Sequence, residues 1–233
     1  MARYLIVGGS RGIGKACAEH LEGQGHEILS VSRTPSGTGE WIKADVGTAK
    51  GVAYVVETVG DRTLDGLLYL GGIWEKGAFT NKYDFLQSPI EEMQQVIAVN
   101  LTAPILLAQG LAGALSKSDT ARIVFIGSTS GLENSAGPEV ANTASKFGLR
   151  GAAEALNVAL RPLGIATTVI NPANVATPEV FDDIASGDFD PQVPIRMSDV
   201  TTTLDYVLHL SSDSVPTTID LKQTRPAANS GNA

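Results

Sequence analysis

The stretch Arg3-Tyr4-Leu5-Ile6-Val7-Gly8-Gly9-Ser10-Arg11-Gly12-Ile13-Gly14-Lys15 decides the fold. Residues 3–7 read as a strand, the glycines as a tight turn, and 12–24 as a helix. Glycine lets the backbone turn sharply and approach an anion closely, and the N–H groups that open a helix bind phosphate. Three glycines alone are a weak pattern. Set between a first strand and a first helix, they acquire the context that a pyrophosphate-binding turn requires.

Working outward, the chain repeats short β-branched runs and helix-length amphipathic segments, the pattern of βαβ units around a parallel sheet. Strands are expected at 27–32, 41–44, 64–70, 122–126, 165–170 and 217–221, and helices at 50–59, 90–115, 143–160 and 199–210. The run 64–70 is apolar almost throughout, as a strand covered on both faces should be. Pro104, lacking an N–H, should bend the helix over 90–115. Residues 172–197, rich in Pro, Asp and Gly, read as an irregular segment. No internal repeat or boundary appears, so 1–222 reads as one domain, with 223–233 a polar tail expected to be disordered.

Composition narrows the function. A single cysteine, Cys17, excludes a disulfide framework and a cysteine zinc site. Three scattered histidines (His20, His26, His209) give no metal-ligand cluster, so no metal is expected. A formal charge of −8 argues against nucleic-acid binding, which needs a basic face. Residues 1–8 run straight into a strand without a charged n-region and cleavage site, so no signal peptide is read and a cytoplasmic location is expected. Residues 96–115 approach membrane-span length. Asn100, Pro104 and Gln109 interrupt them, which favours a buried or interface helix over a membrane span.

The spacing Gly8-x-x-x-Gly12-x-Gly14 resembles that of the short-chain dehydrogenase/reductase family, and the resemblance runs from Arg3 to about Leu221. It implies a Rossmann-type doubly wound parallel sheet of about seven strands with helices on both faces. It also implies a nicotinamide cofactor held by Gly8, Ser10, Arg11, Gly12, Ile13 and Gly14, with Asp45 and Val46 at the adenine and Gly71, Pro172, Val175 and Thr177 further along. Charge selects the cofactor. Domains that bind NAD place a carboxylate at the end of the second strand to hold the ribose hydroxyls. Here that strand ends Val31-Ser32-Arg33, and an arginine fork matches phosphate oxygens. Arg11 and Arg33, beside Ser32, therefore point to NADP(H).

The resemblance assigns catalytic positions to Asn100, Ser128 and Lys146, the lysine also gripping the cofactor's ribose. The family's tyrosine should stand four residues before Lys146, and residue 142 is Asn. A phenol tuned by a lysine cation can protonate the oxygen of a carbonyl as hydride reaches its carbon. An amide donates a hydrogen bond but yields no proton near neutral pH. Two further departures, Tyr69-Leu70-Gly71-Gly72 and Pro172-Ala173, surround the same pocket and mark a diverged lineage. Lys146 ranks first among replacement donors, ahead of Tyr69, read as a core aromatic, and Glu139, read as a surface-loop carboxylate. Trp74, Phe181 and Phe189 suggest an apolar pocket mouth.

The expected function is an NADP(H)-dependent oxidoreductase with an altered proton path, acting on a small apolar carbonyl, alcohol or imine-like molecule. The alternatives are a cofactor-binding sensor or scaffold, and a non-redox enzyme that uses the cofactor structurally. The family's usual self-association through the helices over 90–115 and 143–160 implies a homodimer or homotetramer.

Overall fold

The computed structural model describes residues 1–224. Seven strands form one parallel sheet: β1 (Arg3–Val7), β2 (Glu27–Ser32), β3 (Glu40–Lys43), β4 (Gly66–Tyr69), β5 (Arg122–Ile126), β6 (Ala166–Pro172) and β7 (Thr218–Leu221). Their order is β3-β2-β1-β4-β5-β6-β7, with every pairing parallel. This is the expected doubly wound sheet. The chain leaves β1 toward β2 and later returns to β1's other side as β4, so the strand order reverses between β1 and β4. In open α/β sheets ligands bind at such a reversal, beyond the carboxyl ends of the strands.

Alternation along each strand sends side chains to two cores. Leu5, Val7, Leu67, Tyr69, Ile123 and Phe125 face one side, where they meet α2 (Ala49–Val59), α4 (Ala103–Leu115) and α5 (Val140–Ala159). Tyr4, Ile6, Leu68, Leu70, Val124 and Ile126 face the other, against α1 (Gly12–Gly23) and α7 (Met197–His209).

Several element boundaries differ from expectation for identifiable reasons. The helix over 90–115 is divided into α3 (Ile90–Ile97), a π turn (Ala98–Thr102) carrying Asn100, and α4. Pro104 stands in the first turn of α4, directly after the π turn, so the interruption of the helix falls just before it. By length and composition Ile90–Leu115 is apolar enough to cross a membrane, yet Leu107 and Leu111 are buried in the core. The segment 172–197 is not wholly irregular: α6 (Pro178–Ser186) starts on an N-cap from Thr177 with Pro178 in its first turn. Helix α5 begins at Val140 rather than 143, which brings Asn142 inside it. Of the tail expected at 223–233, residues 225–233 lie outside the described residues, while the Gln223 amide donates to Gln192 Oε1 at 2.7 Å.

Candidate active site

A cleft of about 880 Å³ opens at the carboxyl ends of the strands. At its centre the glycine turn lies against the turn after β4. Gly8 has φ +91, and a Cβ there would sit 2.5 Å from Gly71 Cα. A Cβ on Gly14 would sit 2.2 Å from the Gly8 carbonyl oxygen, so Gly14 sets how closely α1 approaches β1 and does not itself line the cleft. Gly12 (φ +52) has nothing nearer its Cβ position than Thr177 Cγ2 at 3.9 Å. Arg11 is the N-cap residue of α1 but makes no side-chain cap, so the first-turn N–H groups remain available to an anion. Gly8, Ser10, Arg11, Gly12 and Ile13 line this part. The arrangement fits a dinucleotide's diphosphate.

Toward β2 the lining continues with Ser32, Arg33, Asp45 and Val46. Ser32 accepts a hydrogen bond from the Trp41 indole and donates to the Thr34 carbonyl, which fixes the turn that presents Arg33. Arg11 and Arg33 thus border one end, and Asp45 holds its own turn through Gly47 N–H at 3.0 Å.

Toward β5 and β6 the lining comprises Gly71, Ser128, Asn142, Lys146, Pro172, Val175 and Thr177. Ser128 Oγ accepts from Ser130 N–H (3.1 Å) and from the Ser130 hydroxyl (2.8 Å). Asn142 and Lys146, one helical turn apart on α5, share a face. Lys146 Nζ donates to the Ile126 carbonyl at 3.1 Å, and burial lowers its pKa to about 8. Asn100 lies behind the cleft wall. Its side chain holds both the N–H (2.9 Å) and the C=O (2.7 Å) of Ile73 and also donates to Ser145 Oγ.

The lysine's burial has a measurable consequence. Below about pH 8 it is protonated in both folded and unfolded chains. Between about 8 and its ordinary 10.5 only the unfolded chain keeps the proton, so stability rises with pH there. The full rise is about 3 kcal/mol. Chemical denaturation should show it in the wild-type protein, and Lys146→Met should lack it.

Tyr69 is a core aromatic, as expected. It is 1% exposed, its hydroxyl donates to the Val99 carbonyl at 2.5 Å, and burial raises its pKa, so its proton is committed. Glu139 is not the surface-loop carboxylate that its sequence position suggests. It is 2% exposed, lines the cleft, and accepts from Phe79 N–H at 2.7 Å. Phe181 is exposed and stays out of the cleft, whereas Trp74, Phe79 and Phe189 line it. Sequence reading missed Glu75, which is fully buried. Its Oε1 accepts from Ala141 N–H (2.8 Å) and Asn142 N–H (3.1 Å), a negative group at the start of α5 where the helix dipole favours one. Nothing marks it in the sequence beyond a carboxylate in a loop between hydrophobic runs.

Comparison with known proteins agrees with this geometry. Residues 3–184 match the family model for short chain dehydrogenase. A short chain dehydrogenase from Penicillium rubens, adrF, is 31% identical over 182 residues, spanning 74% of this chain and 69% of its own. Among solved structures, a 4-hydroxyisoleucine dehydrogenase complexed with NADH superposes with a TM-score of 0.81 at 21% identity, with both chains fully covered. BdcA in complex with NADPH gives 0.77 at 20% identity, covering 94% of this chain and 92% of its own. The family match over most of the chain and the reversal-point cleft lead to one assignment: the chain belongs to the short chain dehydrogenase family of oxidoreductases.

Proposed function

We propose that the protein is an NADP(H)-dependent oxidoreductase with an altered proton-donor centre, acting on a small apolar carbonyl, alcohol or imine-like substrate. The observation that carries this reading is the charge along one cleft: Arg11 and Arg33 at one end, Lys146 beside Asn142 at the other. The glycine turn and the α1 N–H groups hold the diphosphate, and the two arginines take the 2′-phosphate in charge-assisted hydrogen bonds. Asp45 and Val46 border the adenine. Lys146 would hold the nicotinamide ribose, with Gly71, Pro172, Val175 and Thr177 available to the same half of the cofactor. Asn100 keeps the Ile73 backbone in place behind the nicotinamide.

The bound cofactor supplies or accepts a hydride. Ser128 orients the substrate's heteroatom, and the Asn142 amide adds a hydrogen bond without a proton. With a pKa of about 8, Lys146 can donate a proton near neutral pH, as a general acid should. Exposed Ile105, Leu106, Phe147 and Val158 on α4 and α5 support self-association as a homodimer or homotetramer. The net charge supports a small-molecule ligand over nucleic acid, and a cytoplasmic location without membrane attachment completes the proposal.

Asn142 also favours a second reading, a cofactor-binding protein without redox turnover or a non-redox enzyme holding NADP(H) structurally. One assay separates them: NADPH oxidation followed optically against a panel of ketones, quinones and cyclic imines. Turnover of any of these by the wild-type protein is the expected result. Tight NADPH binding with no oxidation across the panel would transfer the assignment to the second reading.

A further inference from the structure

Three aromatic rings cross the substrate end of the cleft. Trp74 meets Phe79 edge-on at 6.0 Å between centroids, and Phe79 meets Phe189 at 6.4 Å. The first two rings come from the loop after β4 and the third from the chain after α6, so together they bridge opposite walls. Phe79 holds φ +65, a conformation side-chain-bearing residues rarely adopt. Its N–H is tied to Glu139 Oε1 in that conformation. Glu139 is 2% exposed and lines the cleft, where its other carboxylate oxygen stays open to the cavity.

Asp183 and Asp188 line the same end. Of the nearby cations, Lys82 pairs with Asp188 at 3.2 Å, and Lys146 Nζ is turned to the Ile126 carbonyl. Aromatic faces attract cations. A carboxylate oxygen that faces the cleft beside aromatic rings offers a cation a second point of attachment. A neutral carbonyl answers neither feature.

We infer that the reducible substrate is an organic cation, a cyclic iminium whose C=N⁺ unit sits between the aromatic rings and Glu139. The inference rests on the oxidoreductase reading above. The step balances without an acid. Hydride from a bound reduced nicotinamide would add to the iminium carbon, and the C=N π pair would become the nitrogen lone pair. The products are a neutral amine and the oxidised, cationic nicotinamide. No proton moves, so an amide at position 142 is no handicap.

Probes of one bicyclic shape test this. N-methyl-dihydroisoquinolinium is a fixed reducible cation, tetralone its neutral ketone counterpart, and N,N-dimethyl-tetrahydroisoquinolinium a cation that cannot be reduced. Calorimetry on NADP⁺-saturated protein should find the inert cation bound at least about tenfold tighter than tetralone. Glu139→Gln keeps an oxygen for Phe79 N–H, so the fold is spared, and should weaken cation binding about 10–100-fold while leaving tetralone unchanged. The exposed Trp74, changed to Leu, should cost about tenfold for the cation alone. In turnover, NADPH should be oxidised by the fixed cation and far more slowly by tetralone.

Equal binding of cation and ketone, or indifference of the cation to Glu139→Gln, overturns the inference. Ketone reduction without cation binding overturns it too and leaves the oxidoreductase reading standing. Cation binding without NADPH oxidation by any probe overturns the oxidoreductase reading and, with it, the reducible cation.

Discussion

Asn142→Tyr should raise ketone reduction by about 10²–10⁴-fold, the usual contribution of a positioned general acid. Residue 142 lies one turn before Lys146 on α5 and lines the cleft, so a phenol there would stand beside the lysine that tunes it. Ser128 lines the same cleft. The gain should appear in kcat, because the proton is needed in the transition state and not for binding. NADPH oxidation with a cyclic ketone, measured on both proteins at the same pH, reads the effect directly. An unchanged rate would mean that the substrate oxygen is not held near residue 142. The same substitution should not accelerate reduction of a fixed iminium cation, since that step consumes no proton.

Arg33→Asp should reverse the cofactor preference. Hydrogen bonds to charged groups contribute about 1.5–3 kcal/mol each, and each 1.4 kcal/mol is tenfold in affinity. Loss of one arginine from the Arg11–Arg33 pair, with a carboxylate facing the phosphate in its place, should therefore raise the NADPH Kd by about 100-fold. NADH should hold or improve its affinity, because an acid at the end of β2 can accept from the ribose hydroxyls. Fluorescence titration of the variant with both cofactors decides it. A parallel loss for NADH would show that Arg33 maintains the loop and does not read the phosphate.

The sheet was legible because its signals are local and repeated. Alternation along β1, β4 and β5 carries two cores in one string of residues, and the glycine turn announces its own place between strand and helix. The places of Arg11 and Arg33 in the cleft lining were equally local, since both follow from counting along the first two strands. The π turn at Ala98–Thr102 was not legible as such, although Asn100 within it was singled out. An extra residue in a turn shifts the helical phase by about 100°, and in a run as uniformly apolar as 103–115 that shift leaves no visible mark.

Glu75 and Glu139 were hidden for a different reason. Each is a carboxylate in a loop, which sequence reading assigns to solvent, and each is buried because a backbone N–H from a distant segment reaches it: Ala141 and Asn142 for Glu75, Phe79 for Glu139. Long-range pairing of this kind has no periodic signature. It joins the loop carrying Trp74 and Phe79 to the start of α5, and so shapes the pocket beside Asn142.

The most direct test of the central claim, an NADP(H) site at the β1–β4 reversal, is titration of the wild-type protein with NADPH and NADH by protein fluorescence. The account predicts saturable binding of NADPH at least about tenfold tighter than NADH, from the phosphate's charge-assisted hydrogen bonds. Binding of neither cofactor, or a clear preference for NADH, would contradict it.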